Sequence, residues 1–187
     1  MAQKQAKWNM RNRFTAKRLA FMAVFVALSY VVSWLEIPIV HPFKLDFGNV
    51  FILLIAFLFG PVEGIIVCAL KECLRMIGSA TGGVGEIANM LVTCAYLLLP
   101  SILYRYKKGL KWVIPSLVGA CLIATATALL TNRFINFPLY MGQGAEAAFV
   151  EFFWVIVWFN LLKTASVSVL TLLLYKRLSN FLKRWER

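Results

Sequence analysis

The chain has 187 residues, of which 61% are apolar and 15% are charged, and it carries a formal net charge of +12. Soluble globular domains are typically about 45–50% apolar and about 25% charged, so this chain has more apolar surface than a water-soluble core of its length would bury. The composition excludes a disordered chain, a collagen-like chain and a small disulfide scaffold. It predicts a single domain, residues 1–187, embedded in a lipid bilayer.

The basic residues are concentrated in three short patches that border the apolar stretches. Positive charge at the ends of membrane spans marks the cytoplasmic face, so we expect a basic cytoplasmic N-terminal segment (1–18), a membrane bundle (19–176) and a basic cytoplasmic tail (177–187). Nucleic-acid binding is disfavoured because no basic helix face or RNA motif accompanies the charge. The patches consist of Lys4, Lys7, Arg11, Arg13, Lys17 and Arg18; Arg105, Lys107, Lys108 and Lys111; and Lys176, Arg177, Lys183, Arg184 and Arg187.

Six apolar segments follow one another along the chain. If 50–77 were one broken span there would be five crossings, but an even number is needed to put both termini and the patch around 108 on one side. We therefore predict an all-α polytopic membrane protein with six transmembrane helices, in which short helices two and three are shielded by neighbours or lie in thinned lipid. The segments are 19–35, 50–59, 62–77, 85–104, 112–133 and 147–175, with outer loops at 36–49, 78–84 and 134–146.

The sequence offers no group of residues suited to catalysis or metal binding. Its four cysteines lie inside apolar segments, and the single histidine, His41, lies in a predicted loop. There is no Cys-x-x-Cys pair, His-Glu-x-x-His motif, Ser/His/Asp set or Walker motif. We therefore expect no enzyme activity, no metal and no resident cofactor.

Small residues line one stripe of the first helix. At 100° per residue, Ala16, Ala20, Ala23 and Ala27 project within about 60° of one another. Small side chains let helices approach closely in lipid. The stripe is either an internal helix contact or a docking face for a separate membrane subunit.

Polar side chains interrupt the last apolar segment. An ionisable group within a span is costly and normally faces a polar cavity or a partner. Asn160 and Lys163 are three residues apart on one side of the helix, where they can offer amide and ammonium donors to a polar heteroaromatic edge. Alternatively, Lys163 pairs with Glu151, Glu86 or Asp46 as a structural contact.

Three further features lie near the predicted outer side of the membrane bundle. Asn132 and Asn136 share one face at the end of helix five, where they either contact a ligand or form a helix cap and turn before Pro138. The glycine-rich stretch 78–85 lacks Gly-Lys-Ser/Thr, so we interpret it as a tight loop whose backbone amides reach a ligand. Lys71, Glu72 and Arg75 are interpreted as a local ion pair.

These features resemble a known family, the S-components of energy-coupling factor (ECF) vitamin transporters, over residues 15–178. The resemblance rests on the alanine stripe, on K-L-D-F-G-N at 44–49, on F-G-P-V-E-G-I-I-V and L-K-E within 59–72, and on G-x-x-x-G-G-V-G-E-I-A-N at 78–89. The chain is most similar to the riboflavin-specific RibU group, whose pattern Asn132 and the N-x-x-K at 160–163 also fit.

The resemblance implies substrate capture without catalysis, in the cell membrane of a prokaryote. Such a protein binds one vitamin, expected to be riboflavin, and docks on a shared transmembrane subunit driven by two cytoplasmic ATPases. Folate, thiamin or pantothenate are alternative vitamins, and a small membrane enzyme or an assembly subunit are alternatives of another class. The implied substrate contacts are Lys44, Leu45, Asp46, Phe47, Gly82, Gly83, Gly85, Asn132, Asn160 and Lys163, and the implied subunit contacts are Ala16, Ala20, Ala23 and Ala27.

A flat tricyclic ligand is well matched by aromatic walls and a few placed donors. The outer halves of helices five and six supply candidate walls, which are Phe134, Phe137, Tyr140, Phe149 and Trp154.

Overall fold

Helices make up most of the structure, a computed structural model that describes residues 15–40, 43–79, 82–107 and 109–185. Two short strands are the exception to the predicted all-helical class. The elements are α1 (Ala16–Ser33), β1 (Ile37–Val40), β2 (Phe43–Leu45), α2 (Asn49–Phe59), α3 (Pro61–Met76), α4 (Val84–Tyr106), α5 (Leu110–Thr131), a π-helical turn (Asn132–Asn136), α6 (Phe137–Met141), a 3₁₀ turn (Gly142–Gly144) and α7 (Ala145–Trp185). The predicted features at Lys4, Lys7, Arg11, Arg13, His41, Lys108 and Arg187 lie outside the described residues.

The longer helices have the length and composition of membrane spans. Among the described residues, three stretches are helical, long and apolar enough to cross a bilayer: Ala16–Ser33, Val84–Tyr106, and Lys111–Tyr175, which contains most of α5 and much of α7. α2 is also apolar but shorter. These elements fit the predicted membrane protein.

The short helix α2 lies at the centre of the bundle, where it packs against α1, α3, α4 and α7. Every residue from Ile52 to Ala56 is at most 1% exposed. A helix that is apolar on all sides is one that protein surrounds completely, which explains why α2 does not have to span the bilayer by itself. The prediction that neighbours shield the short second helix is confirmed.

A sharp turn at Gly60 separates α2 from α3. Its φ of 128° lies in the region that favours glycine because any side chain there is strained. Pro61 follows in the first turn of α3. Proline is tolerated there because the first N–H groups of a helix have no partner within the helix. Residues 50–77 are therefore two helices, as the sequence predicts, and not one broken span.

The predicted outer loop 36–49 contains a β-hairpin, formed by β1 and β2. Ile37 pairs with Leu45 and Pro38 with Lys44 in an antiparallel arrangement. The connection between α1 and α2 predicted here therefore contains the two strands that the all-helical class did not include. The hairpin matters for the site because it delivers Asp46 to the beginning of α2.

The prediction of a loop at 134–146 is wrong, because these residues lie in a succession of helical elements. α5 continues without a break into the π-helical turn, and the N–H of Phe137 donates to Asn132 O. Pro138 follows in the first turn of α6. Because proline lacks an N–H and its ring clashes with the preceding turn, it distorts the regular helical pattern instead of ending the helix. Local π-helical distortions of this kind are frequent at functional sites.

The last helix is longer than the predicted segment 147–175. α7 begins at Ala145 and continues to Trp185, into the predicted cytoplasmic tail. The boundary that we placed at 176–177 is therefore not the end of a helix.

The central position of α2 gives a stability prediction. Replacing Leu54, which is 1% exposed, by alanine should lower the free energy of unfolding by about 2–5 kcal/mol because it leaves a cavity in the core. Thermal unfolding of the detergent-solubilised protein measures the change. The control is Leu162→Ala on α7, where the leucine is 50% exposed and the loss should be far smaller. Equal losses would contradict the central position of α2.

Candidate functional site

A string of buried polar side chains connects the hairpin to α3. The Lys71 side chain is fully buried, and its Nζ donates to Asp46 Oδ2 at 2.5 Å and to Glu72 Oε1 at 2.7 Å. Asp46 Oδ1 also accepts from the backbone N–H of Gly48 at 2.7 Å. Two carboxylates therefore neutralise one buried ammonium. The interpretation of Lys71 and Glu72 as a local pair is incomplete, since Asp46 lies 25 residues away in sequence.

Asn89 on α4 extends this string to α7. Its Nδ2 donates to Glu72 Oε1 at 2.5 Å, and its Oδ1 accepts from Lys163 Nζ at 2.5 Å. Lys163 is only 9% exposed. The ionised members are two acids, Asp46 and Glu72, and two bases, Lys71 and Lys163, so the string is neutral overall. We call these five residues the charge string.

The hydrogen bond of Lys163 goes to Asn89 and not to any of the carboxylates that the sequence offers as its partners. Glu151 is exposed, and Glu86 accepts from Ser79 Oγ at 2.7 Å. Asp46 belongs to the charge string, but its carboxylate accepts from Lys71. The ammonium of Lys163 is held by a neutral amide, which accepts one of its three N–H groups.

A small cavity of about 10 Å³ lies beside Lys163. The Asn49 amide donates to Thr93 Oγ1 at 3.1 Å, whereas no donor among the described residues reaches its buried Oδ1. A cavity of this volume is near the minimum that holds one water molecule, so a ring-sized ligand can enter only if the surrounding elements move apart. The lining residues are Asn49, Val92, Thr93, Tyr96, Lys163, Thr164 and Val167.

The other predicted amides are buried within their own helices. Asn160 is 5% exposed, and its Nδ2 donates to Ile156 O at 2.9 Å. Asn132 is 6% exposed; its Nδ2 donates to Ala128 O at 2.7 Å, and its Oδ1 accepts from Asn136 at 3.0 Å. The π-helical turn that carries Asn132 packs against α4 and α7. Asn160 lies within one turn of Lys163 on α7, and both predicted amides bond within their own helical stretches in this structure.

The hairpin is held to α3 by a second set of ion pairs. Lys44 Nζ lies 2.7 Å from Glu36 Oε2, and Arg75 donates both to Glu36 and to Ser33 O. Burial by itself raises the pKa of Glu36, but hydrogen bonds from Lys44 and Arg75, together with their charges, outweigh this and lower the pKa below its ordinary value. Lys44 therefore contacts Glu36 in this structure.

The remaining predicted loop contacts differ in exposure. Leu45 is buried and Phe47 is half-buried. Gly82 is exposed, while Gly83 is buried and its N–H donates to Ser79 Oγ at 3.1 Å. Gly85 is half-buried in the first turn of α4. The amide of Gly83 thus has a partner within the protein, which a ligand would have to replace.

Aromatic rings from the hairpin and α7 pack together. The ring of Phe43 lies 5.2 Å from that of Phe159 and 6.5 Å from that of Phe152, and Phe137 packs on Phe152 at 6.1 Å. Phe149 joins through Phe137. The predicted walls do not include Phe43, Phe152 and Phe159, although the seven-residue spacing of the last two places them on one face of α7. The other candidate walls are at least half exposed; they are Phe134, Tyr140 and Trp154. Trp154 connects to Phe149 through the ring of Phe153.

The alanine stripe on α1 faces away from the bundle. All four alanines, Ala16, Ala20, Ala23 and Ala27, are exposed. The opposite face of the helix, with Met22, Phe25 and Val26, is buried. The interpretation as an internal helix contact is therefore wrong, and the docking face stays a prediction.

Apolar helices around a neutral string of buried ionised groups define a membrane protein with a polar interior. The model of the family "ECF transporter, substrate-specific component" matches residues 17–175. The chain belongs to this family. It is therefore a transport component and not an enzyme, as the sequence predicts.

Individual relatives agree with this assignment. The chain is 35% identical over 186 residues to "Riboflavin transporter RibU" of Staphylococcus aureus (strain TCH60), which covers 95% of this chain and 97% of that one. It is 27% identical over 131 residues to "Riboflavin transporter FmnP" of Bacillus subtilis (strain 168), covering 67% of each. A solved structure, described as the S component of a bacterial ECF transporter, matches with a TM-score of 0.78 and 35% identity over 89% of this chain and 98% of that one.

The ion pairs of Glu36 give a pH prediction. Because its pKa is lowered in the folded protein, the stabilisation is fully present above the pKa of the unfolded chain and is lost as the pH falls through the folded value. We expect the melting temperature of the wild type to fall more steeply with acidification than that of Glu36→Gln. The control is Glu146→Gln, which removes an 86% exposed carboxylate near Arg133 and should keep the wild-type acid limb. Parallel acid limbs for Glu36→Gln and the wild type would refute the prediction.

Proposed function

We propose that this chain is the riboflavin-binding S-component of an ECF transporter, which captures riboflavin or a related flavin for uptake across the cell membrane of a prokaryote. The observation that carries the proposal is the 35% identity to a riboflavin transporter over 95% of the chain. A second riboflavin transporter among the relatives supports it. Riboflavin is the substrate in this proposal and not a resident cofactor.

The chemistry of the site suits such a ligand. The isoalloxazine ring system is flat and apolar on its faces and carries hydrogen-bond acceptors on one edge. Lys163 and Asn160 offer donors from one side of α7, and Asn132 adds a third amide from the π-helical turn. The aromatic cluster provides surface for the ring faces. It consists of Phe43, Phe152, Phe159, Phe137 and Phe149.

Residues around the hairpin and the α3–α4 connection would complete the contacts. Those residues are Lys44, Leu45, Asp46, Phe47, Gly82, Gly83 and Gly85. Pockets for ligands of this size have volumes of about 300–1,000 Å³, far above the cavity of about 10 Å³ beside Lys163. Binding at this place in our proposal therefore requires the elements that line the cavity, which are α2, α4 and α7, to move apart.

The proposed protein crosses the membrane six times, with cytoplasmic termini, and docks on a shared transmembrane subunit powered by two ATPases. The positions of the basic patches support this orientation. The four exposed alanines of α1 support docking, since small side chains allow a second helix to pack closely in lipid. Membrane lipid surrounds the remaining outer surface.

Direct binding tests the substrate. We expect the purified protein to quench riboflavin fluorescence in a saturable titration with a dissociation constant in the nanomolar range, and to show flavin absorption when it copurifies with its ligand. Folate, thiamin and pantothenate serve as competitors and should not displace riboflavin. Saturable binding of one of these three instead would contradict riboflavin as the substrate while the family assignment stands.

Assembly tests the docking face. Ala27→Leu should prevent copurification with the transmembrane subunit, because a large side chain holds the partner helix away, and should leave riboflavin affinity within about twofold of the wild type. The matched control is Ala126→Leu, which adds the same group to an exposed position on α5 and should assemble normally. Normal assembly of Ala27→Leu would remove the alanine stripe from the docking face.

A further inference from the structure

We propose that Asn89 is a positioning residue for Lys163: it holds the ammonium group in place for the substrate without contacting the substrate itself. The proposal rests on the proposed function, which assigns Lys163 to substrate binding. It concerns a residue outside the predicted substrate contacts, and it follows from the hydrogen bonds of the charge string.

The orientation of the Asn89 amide is determined by its two neighbours. An ionised carboxylate only accepts hydrogen bonds and an ammonium only donates them. Glu72 Oε1 must therefore face the Asn89 Nδ2, and Lys163 Nζ must face the Oδ1, as the two contacts of 2.5 Å show. Because both ends of the amide have partners of opposite character, a flip would place donor against donor and acceptor against acceptor.

The position of Glu72 is itself fixed by hydrogen bonds, so more than the Asn89–Lys163 pair restrains the ammonium group. Its Oε1 also accepts from Lys71 Nζ, which is completely buried and bonded to Asp46. Asp46 in turn accepts from the backbone N–H of Gly48, in the connection between β2 and α2. The position of Lys163 on α7 is thus tied to α4, α3 and the beginning of α2.

The contact leaves the lysine able to bind a ligand. An ammonium has three N–H donors, and Asn89 accepts one of them. A neutral acceptor holds the group in place without the full attraction of a carboxylate, so a substrate acceptor does not have to displace an ion pair. Without Asn89, the flexible side chain of Lys163 must be ordered at the moment of binding, which reduces affinity.

A double-mutant cycle separates this role from a structural one. Riboflavin dissociation constants are measured for the wild type, Asn89→Ala, Lys163→Met and the double variant, with ligand-free melting temperatures for each. Hydrogen bonds to charged groups are among the stronger ones, so Asn89→Ala should weaken binding by roughly tenfold in the wild type. In the Lys163→Met background, where the amide has nothing to position, the same change should weaken binding by less than about twofold. Ser101→Ala, which removes another buried polar group from α4, is the control and should stay within about twofold in both backgrounds.

Equal factors for Asn89→Ala in both backgrounds would overturn the positioning role. If Lys163→Met binds riboflavin as the wild type does, the assignment of Lys163 in the proposed function fails, and this inference fails with it. The two failures are distinguishable because the first leaves a clear loss in Lys163→Met. Should Asn89→Ala not fold, Asn89→Ser serves in the same cycle, since its hydroxyl is too short to bridge the two partners.

Discussion

The arrangement of this protein depends on the neutralisation of two buried ammonium groups, those of Lys71 and Lys163. A buried charge without a partner is strongly unfavourable. Asp46, Glu72 and Asn89 supply the compensating acceptors, and all five side chains are linked by contacts of 2.5–2.7 Å. The acceptors come from the end of the hairpin, α3 and α4, and Lys163 comes from α7. All the hydrogen bonds of the ammonium groups therefore form only in one arrangement of these elements.

The same face of α3 holds the hairpin at both of its ends. Lys71 and Arg75 are four residues apart and therefore project from one side of the helix. Arg75 binds Glu36 before β1, and Lys71 binds Asp46 after β2. Between these two anchors, Phe43 reaches α7 and packs on Phe159. The hairpin thus links a polar contact on one helix with an aromatic contact on another, directly beside the proposed ligand-binding lysine.

Much of the helical framework could be predicted from the sequence because it follows from local properties. Long apolar segments specify the spans, and Gly60-Pro61 specifies the break between α2 and α3. The hairpin was missed because three- and four-residue strands give too short a pattern, and the helical stretch after Asn132 was missed because Pro138 is ordinarily a signal for the end of a helix.

The site could be predicted only in part. The cost of an ionisable group in a span pointed to Lys163 as a residue that needs a polar partner. Its partner, Asn89, lies 74 residues earlier in the chain, and nothing in either segment alone specifies their contact. Several carboxylates met the same requirement in the sequence, and only the fold, which brings Asn89 of α4 within hydrogen-bond distance of Lys163 on α7, selects an amide.

The enclosure of α2 has a consequence for how the protein responds to its surroundings. Lipids cannot reach Ile52 to Ala56, so a thicker or thinner bilayer exerts no direct force on this helix. Adjustment to the hydrocarbon thickness falls to the peripheral helices, which tilt or draw lipid toward them. A change in lipid composition therefore acts on α2 only through the helices that surround it.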